Sequence, residues 1–510
     1  MASVQLDSSL VYVILFVLSS ILIVRSLRSS RKDGLRPHLP SPPALPILGN
    51  LHQLGRGHHH RKLQALARQY GPLFLLRLGS MRALVVSSAA MAEEVLKTQD
   101  HIFCGRPRQY TARAISYNFR DIGFSPYGDR WRQLRRIAVV HLLSLKRVDS
   151  FRALREQEVA LLVARIHEDR TQGHKHHQHQ AVNVSQLIIG LTFNVISKSA
   201  FGNRLGGTDP GTVREMLEEV TVLLETIAVS DLFPQFGWVD WLTGLDSRIE
   251  TTATKLDAIF ERVLQEHEKS SENGVESGDL VDDLLTVAKE GGEGFKLDRT
   301  DVKGLILDLF VAGIDTTSKA ILWAMAELVK NPNEMEKVQA EVRQVVGAQG
   351  VLEQQLGKMS RLQAAMKEAM RLHPPVPLLI PHEVIRDTKL HVYHIPAQTR
   401  VIVNAWAIGR DSESWENAEE FLPERFMHNN IFDYSGKDIR FIPFSAGRRG
   451  CPGIAFATRL AELALANLLY HFNWELPEGQ DVESFEVVES NGLSPSLKSD
   501  LILVPKQMQA

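Results

Sequence analysis

Cysteine is nearly absent from this 510-residue chain, which holds only Cys104 and Cys451. That count excludes a disulfide-stapled secreted scaffold and makes a reducing compartment the natural setting. No Cys-x-x-Cys pair occurs, so a cysteine-based zinc site is excluded too. An excess of charge of one sign is also lacking: 58 Lys+Arg face 60 Asp+Glu, for a formal net charge of −2. A polyanion would find no electrostatic footprint, and no nucleic-acid partner is expected. There is no long Ser/Gly/Gln tract and no internal repeat, which removes solenoids and arrays. What remains is a globular composition, 44% hydrophobic and 23% charged, long enough to bury a large core.

The clearest composition shift lies at the start. Leu10–Val24 (LVYVILFVLSSILIV) is apolar except for Ser19 and Ser20. Taken as residues 8–27, with Arg25 snorkelling to the interface, the run reaches the roughly 17–25 residues of a spanning helix. Arg25, Arg28, Arg31, Lys32 and Arg36 follow, opposed only by Asp33, and place the rest of the chain on the cytoplasmic side. A cleaved signal peptide would need a basic start and a small-residue cleavage site; here Asp7 precedes the apolar run. The anchor is expected to stay. Residues 28–46 then form a basic hinge with Pro37, Pro40, Pro42, Pro43 and Pro46, a stiff spacer. Residues 47–505 show no second linker and are read as one domain.

That domain is expected to be mainly α with a small β region. Leu73–Leu78 and Ala83–Val86 are β-like runs around Gly79-Ser80. Apolar spacing of three and four predicts helices over Met91–Lys97, Asp129–Val140, Phe151–Ile166, Asp282–Lys289 and Ala455–Tyr470. The longest, Asp301–Lys330, has Thr300 as its expected N-cap and a middle that is apolar nearly all round, as in a helix crossing a protein's centre. Gly173–Gln180 (GHKHHQHQ) and Ser270–Gly278 read as surface loops. Adjacent imidazoles without a fixed second shell make a poor metal site, so the first is taken as solvated.

The most informative segment is Phe444-Ser-Ala-Gly-Arg-Arg-Gly-Cys-Pro-Gly453. Backbone N–H groups and the helix beginning near Ile454 would favour the thiolate of Cys451, the form that binds metal. Gly447 and Gly453 would allow close approach to a flat cofactor, and Arg448 and Arg449 can reach anionic groups at its edge. A buried cysteine acting as a small hydrophobe is the bland alternative. Glu368-Ala-Met-Arg371 places two opposite charges on one helix face, with Ser360 and Gln363 as the expected cap. Ala312-Gly-Ile-Asp-Thr-Thr317 interrupts the long apolar helix for no reason of propensity. A threonine hydroxyl bonded back to a carbonyl there would leave room for a small ligand.

These motifs together resemble the cytochrome P-450 monooxygenases. Phe444, Gly447, Arg449, Cys451 and Gly453 match every fixed position of that family's haem-binding signature. Glu368, Arg371 and, from FLPERF, Arg425 match its buried structural network. Asp315 and Thr316 match its proton-delivery residues over bound dioxygen. Trp131 and Arg135 match a helix contacting a haem propionate. Arginine is common at the position of His382, so a propionate role for this shorter histidine is weaker. LPSPPALPILGNLHQL, YGPLFLLRLGS and SPYGDRWRQLRR are closest to the A-type microsomal plant branch.

The resemblance implies haem b held through Cys451 as metal ligand, in a cytochrome P-450-type domain behind a transmembrane helix in the endoplasmic reticulum membrane. It implies an O2-dependent monooxygenase acting on a hydrophobic small molecule, a terpenoid, phenylpropanoid or alkaloid of plant specialised metabolism. No flavin-binding region is recognised, so electrons are expected from NADPH through a separate cytochrome reductase, whose acidic surface some of Arg132, Arg135 and Arg136 would meet, a solvated basic face being the alternative for Arg132 and Arg136. Substrate contacts are expected over Phe103–Phe124, Leu305–Thr316, Val376–Ile380 and Asn491–Leu493, with Leu309, Phe310, Ala312, Val376, Leu379 and Leu493 lining the pocket. Two other readings stand beside this one. They are a family member that rearranges peroxides or dehydrates without oxygen, and a non-enzymatic haem-binding membrane protein.

Overall fold

The computed structural model describes residues 39–507 apart from 56, 173–180, 203–208, 275–277, 292–294, 349 and 428–431. The expected anchor, the first part of the hinge and the histidine-rich loop lie outside the described residues. Helices of nine residues or more are α1 (His59–Tyr70), α2 (Asp129–Ile137), α3 (Arg152–Gln172), α4 (Val184–Phe201), α5 (Pro210–Glu225), α6 (Leu245–Glu272), α7 (Leu280–Glu290), α8 (Arg299–Lys330), α9 (Pro332–Val346), α10 (Ser360–Leu372) and α11 (Ile454–His471).

Among the described residues, nine short strands make three small sheets. They are β1 (Leu73–Leu78), β2 (Met81–Val86), β3 (Val182–Asn183), β4 (His382–Glu383), β5 (Thr388–Leu390), β6 (Tyr393–Ile395), β7 (Arg400–Val403), β8 (Phe472–Glu475) and β9 (Ile502–Gln507). The largest runs β1-β2-β7-β4, with β1 and β2 closing as a hairpin in the register Leu78↔Met81. β7 lies parallel to β2, pairing Val85 with Ile402.

The long helix α8 passes through the middle of the molecule, packed against α4, α10 and α11. Its cap is Asp298 rather than Thr300. Asp298 Oδ1 accepts from Asp301 N at 2.9 Å while Asp301 Oδ2 accepts from Asp298 N at 3.1 Å, a reciprocal pair that satisfies two end donors. α10 also starts differently from expectation. Ser360 is its first helical residue, and Glu341 of α9 accepts from Ser360 Oγ and from the backbone N–H groups of Arg361 and Leu362 at 2.9–3.1 Å. A carboxylate from a neighbouring helix answers the orphan donors and the positive helix end together. α4 is apolar enough to span a membrane by composition, yet 67% of it is buried inside the protein, so it is a core helix.

One glycine fixes how the loop before α2 sits. A Cβ at Gly304 of α8 would lie 2.2 Å from the carbonyl oxygen of Arg120. That loop carries three consecutive left-handed residues, Tyr117, Asn118 and Phe119. Pressed against α8, it brings Ile122 and Gly123 to the wall of the main cavity.

Candidate active site

A cavity of about 260 Å³ lies between α8 and the loop that leads into α11. Leu309, Ala312, Gly313, Thr316 and Thr317 form one wall; Phe444, Cys451, Pro452 and Gly453 form the facing one. Cys451 is the only cysteine on its surface among the described residues. The loop holds its shape by backbone closure, Cys451 N donating to Phe444 O at 2.9 Å and Gly450 N to Gly447 O at 3.0 Å. Gly453 N, at the start of α11, donates to Cys451 Sγ at 3.3 Å. Burial pushes the Cys451 thiol up, against that N–H and the charge of Arg135, so the thiolate is a form that a bound metal must hold.

Gly447 serves a different surface from the one expected. It stands at φ 69°, and an added Cβ would lie 2.0 Å from the carbonyl oxygen of Leu96. It lets the loop close onto the segment before Asp100, whose carboxylate accepts from Arg448 N at 2.8 Å. Gly453 and Phe444 do line the cavity.

Three guanidinium groups, Arg106, Arg135 and Arg449, reach the cavity wall. Arg449 donates to the carbonyls of Cys104 (2.8 Å), Ile122 (3.3 Å) and Ser125 (2.8 Å), and its guanidinium carbon lies 4.2 Å from the centre of the Trp131 ring. Trp131 Nε1 donates to Ile122 O at 3.0 Å. Arg135 donates to Gly450 O at 2.5 Å. Arg106 donates to Gly123 O (2.9 Å), Ile380 O (2.8 Å) and Pro381 O (2.9 Å). None of the three forms an ion pair among the described residues.

The nearby acids do little to offset them. Burial pushes the Asp121 carboxyl up to about 6, against its backbone donors and Arg449. Burial and the charge of Asp121 push Asp308, on the cavity wall, well above the usual carboxylate range. Buried cations that only carbonyls satisfy leave room for a partner with negative charge. Apolar walls, a thiol on one face and uncompensated cations fit a flat, metal-bearing, apolar ring with anionic substituents. Haem meets that description.

The other expected residues divide. Leu309, Ala312, Val376 and Leu379 line the cavity. Phe310 does not; it is buried and stacks on Phe201, ring centres 4.7 Å apart, because α8 presents that side to α4. Leu493 does not line the cavity either, since its segment is held out against Glu225 of α5. Thr316 lines it, with Oγ1 donating to Ala312 O at 2.6 Å, and α8 stays unbroken there. Asp315 is off the wall, paired with Lys319 and Ser494.

His382 is not on the wall. From β4, its Nδ1 lies 2.9 Å from the carbonyl oxygen of Phe103, and burial, with the charge of Arg106, holds the imidazole well below its ordinary range, hence neutral. Arg106 is on the wall instead. Sequence pattern does not single out Arg106 or Asp121, whereas Asp308 stands as a lone carboxylate inside the apolar run LILDLF, which is a signal of a special role. Of the three α2 arginines expected to face the reductase, Arg135 turns inward while Arg132 and Arg136 are exposed; the helix's fourth, Arg130, pairs with Asp298 and Asp301.

Behind the cysteine loop, Glu368 and Arg371 form a fully buried bidentate pair at 2.7 Å. Arg425 Nε donates to Glu368 Oε1 at 2.9 Å. Arg371 also donates to the carbonyls of Gly409, Ala418 and Glu420 at 2.5–3.0 Å, so one guanidinium ties α10 to two stretches of irregular chain.

Comparison with known proteins agrees with this arrangement. The sequence profile of the cytochrome P-450 family matches residues 39–501. Cytochrome P-450 71A1 of Persea americana is 48% identical over 466 residues, 90% of this chain and 91% of that protein. Cytochrome P-450 71A9 of Glycine max is 42% identical over 499 residues, 97% of this chain and 98% of that protein. Among solved structures, a zebrafish cytochrome P-450 with abiraterone superimposes with a TM-score of 0.72 at 27% identity, covering 88% of this chain and 99% of that one. The chain therefore belongs to the cytochrome P-450 family, and is a haem-thiolate monooxygenase, an oxidoreductase.

Proposed function

We propose that the protein inserts one oxygen atom from O2 into a hydrophobic small molecule, drawing electrons from NADPH through a separate reductase. The observation that carries this reading is the single cavity thiol, Cys451, facing the Ala312–Thr317 stretch of α8. Cys451 would hold haem through its thiolate sulfur, and the bound group would supply the reductive activation of dioxygen. Arg106, Arg135, Arg449 and Trp131 would hold its carboxylates and set its orientation. Leu309, Ala312, Val376 and Leu379 exclude bulk water and give the substrate an apolar seat. Thr316 Oγ1, bonded to the Ala312 carbonyl, belongs to a cavity-wall residue adjoining an acid, Asp315, and hands on protons at that atom.

Relatives in Persea americana, Arabidopsis thaliana and Glycine max support a plant metabolite, a terpenoid, phenylpropanoid or alkaloid, as the substrate class. The apolar segment at residues 8–27 supports a single anchor in the endoplasmic reticulum membrane, with the domain facing the cytoplasm.

The test reconstitutes the full-length protein with a plant NADPH reductase and screens those compound classes by the Soret shift, then by product. Product that needs NADPH, reductase and O2 together is expected. Turnover of peroxides without NADPH would favour the oxygen-independent reading. Binding with no reductase-dependent O2 consumption would favour a non-enzymatic haem protein. Thr316→Ala is expected to keep haem and substrate binding while more of the O2 leaves as hydrogen peroxide; unchanged peroxide yield removes Thr316 from proton delivery.

A further inference from the structure

Asp315 adjoins Thr316 in sequence but is turned out of the cavity wall. Its Oδ2 accepts from Lys319 Nζ at 2.7 Å and from Ser494 Oγ at 2.8 Å. Lys319 Nζ also donates to the carbonyl oxygen of Ser494 at 2.5 Å and to its hydroxyl at 2.9 Å. Ser494 N in turn donates to Glu225 Oε1, at the end of α5, at 3.1 Å. One turn further along α8, Trp323 Nε1 donates to Pro495 O at 3.3 Å. Asp315, Lys319 and Trp323 are spaced by four, so they share one face of α8, and residues 494–495 lie along it. The Lys319 side chain is 11% exposed and that of Asp315 is 28% exposed. Asp315 therefore meets water on the outer side of α8 while its neighbour Thr316 meets the dry cavity.

We propose that Lys319, together with Ser494, is a positioning residue for Asp315. It fixes the carboxylate at the wet face of α8, one residue from the hydroxyl it serves. This rests on the reading of Asp315 and Thr316 as the proton-delivery pair. Lys319 is the only cation bonded to that carboxylate among the described residues. Without it, Asp315 Oδ2 keeps only the Ser494 hydroxyl, the 494–495 segment loses two of its bonds to α8, and the carboxylate is held by one bond instead of two.

The consequence is readable without knowing the substrate. In substrate-free turnover, one O2 takes two electrons and two protons to leave as hydrogen peroxide, consuming one NADPH. Alternatively it takes four electrons and four protons to become two waters, consuming two NADPH. Poorly placed protons favour the first outcome.

The experiment uses the full-length, haem-loaded protein with reductase, and measures NADPH oxidised and peroxide formed per O2. In Lys319→Met, the peroxide share is expected to rise about two- to five-fold, the factor carried by a partly exposed ion pair. Haem content and the reduced carbonyl spectrum stay as in the wild type, and Lys319→Arg restores most of the wild-type share. In an Asp315→Asn background, Lys319→Met should add nothing, because it acts through Asp315. Wild-type peroxide share in Lys319→Met, with Asp315→Asn raised, overturns the proposal and leaves the proton-delivery reading standing. Additive effects in the double variant also overturn it, assigning Lys319 to the fold alone. An unchanged share in Asp315→Asn removes the reading beneath it.

Discussion

Arg371→Ala is expected to fail as a folded holoprotein rather than as a slow enzyme. The two ends of the Glu368–Arg371 pair are both fully buried, and Glu368 is held on both oxygens by Arg371. Deleting one partner of such a pair costs about 3–5 kcal/mol, because the other charge is left buried. Arg425 and Leu422 N still donate to Glu368 Oε1, which puts this part of the cost at the lower end. The carbonyls of Gly409, Ala418 and Glu420 lose their donor at the same time. Each that stays dry adds about 1–3 kcal/mol. The sum approaches the whole stability of a domain, about 5–15 kcal/mol.

Arg425→Ala is the comparison. It removes one 2.9 Å bond to Glu368 from a residue whose side chain is 13% exposed, and leaves the bidentate pair intact. A loss of about 1–3 kcal/mol is expected, with haem still bound. Arg371→Lys keeps the charge but not the planar fork, and should fall between the two. Membrane fractions of all three, compared for haem content by the reduced carbonyl band and for protein by immunoblot, provide the assay. Wild-type haem loading in Arg371→Ala would refute the reasoning, since it would mean that water or a rearrangement satisfies Glu368.

Other outcomes follow from the same geometry. Cys451→Ser should abolish the red-shifted Soret band of the reduced carbonyl complex, whereas Cys104→Ser, buried behind Arg449, should keep it; the reverse pattern would move the metal ligand. His267 has both ring nitrogens on acceptors, Val263 O at 2.7 Å and Asp279 Oδ2 at 2.9 Å, which requires the imidazolium. Burial alone would lower its pKa, but the bonds to Asp279 and Val263 outweigh it and raise it. Its contribution of about 1–3 kcal/mol is thus full below the ordinary histidine value and lost as pH rises through the raised one. Urea midpoints between about pH 6 and about pH 9 should fall in the wild type and stay flatter in His267→Gln. Deleting the segment before Pro37 should release the protein from membranes only in part, with haem loading intact, because Trp238, Trp241 and Leu242 are 61–72% exposed on the domain surface. Sedimentation with and without high salt reads the difference.

Local chemistry was legible from the sequence. The β1–β2 hairpin, the helices, the Cys451 loop and the Glu368–Arg371 spacing each depend on neighbours within a few residues, and periodicity or spacing reports such neighbours directly. The threonine back-bond at Ala312 is of the same kind, a bond of four residues' reach inside one helix. What the sequence could not say is which face of an element meets which partner. Phe310 and Leu309 are adjacent and equally apolar, yet one faces α4 and the other the cavity, and only the packing of α8 between α4 and α11 decides it. The caps of α8 and α10 differ for a related reason. A helix end needs an acceptor, and any element that passes by supplies it, Asp298 in one case and the distant Glu341 in the other. Arg106, rather than His382, reaches the cavity because the chain before it is drawn against β4, where Glu383 N donates to Gly105 O at 3.0 Å. Asp315 is turned outward by Ser494, 179 residues away in sequence. Contacts of that separation leave no period in the sequence; they exist only once the chain has closed on itself.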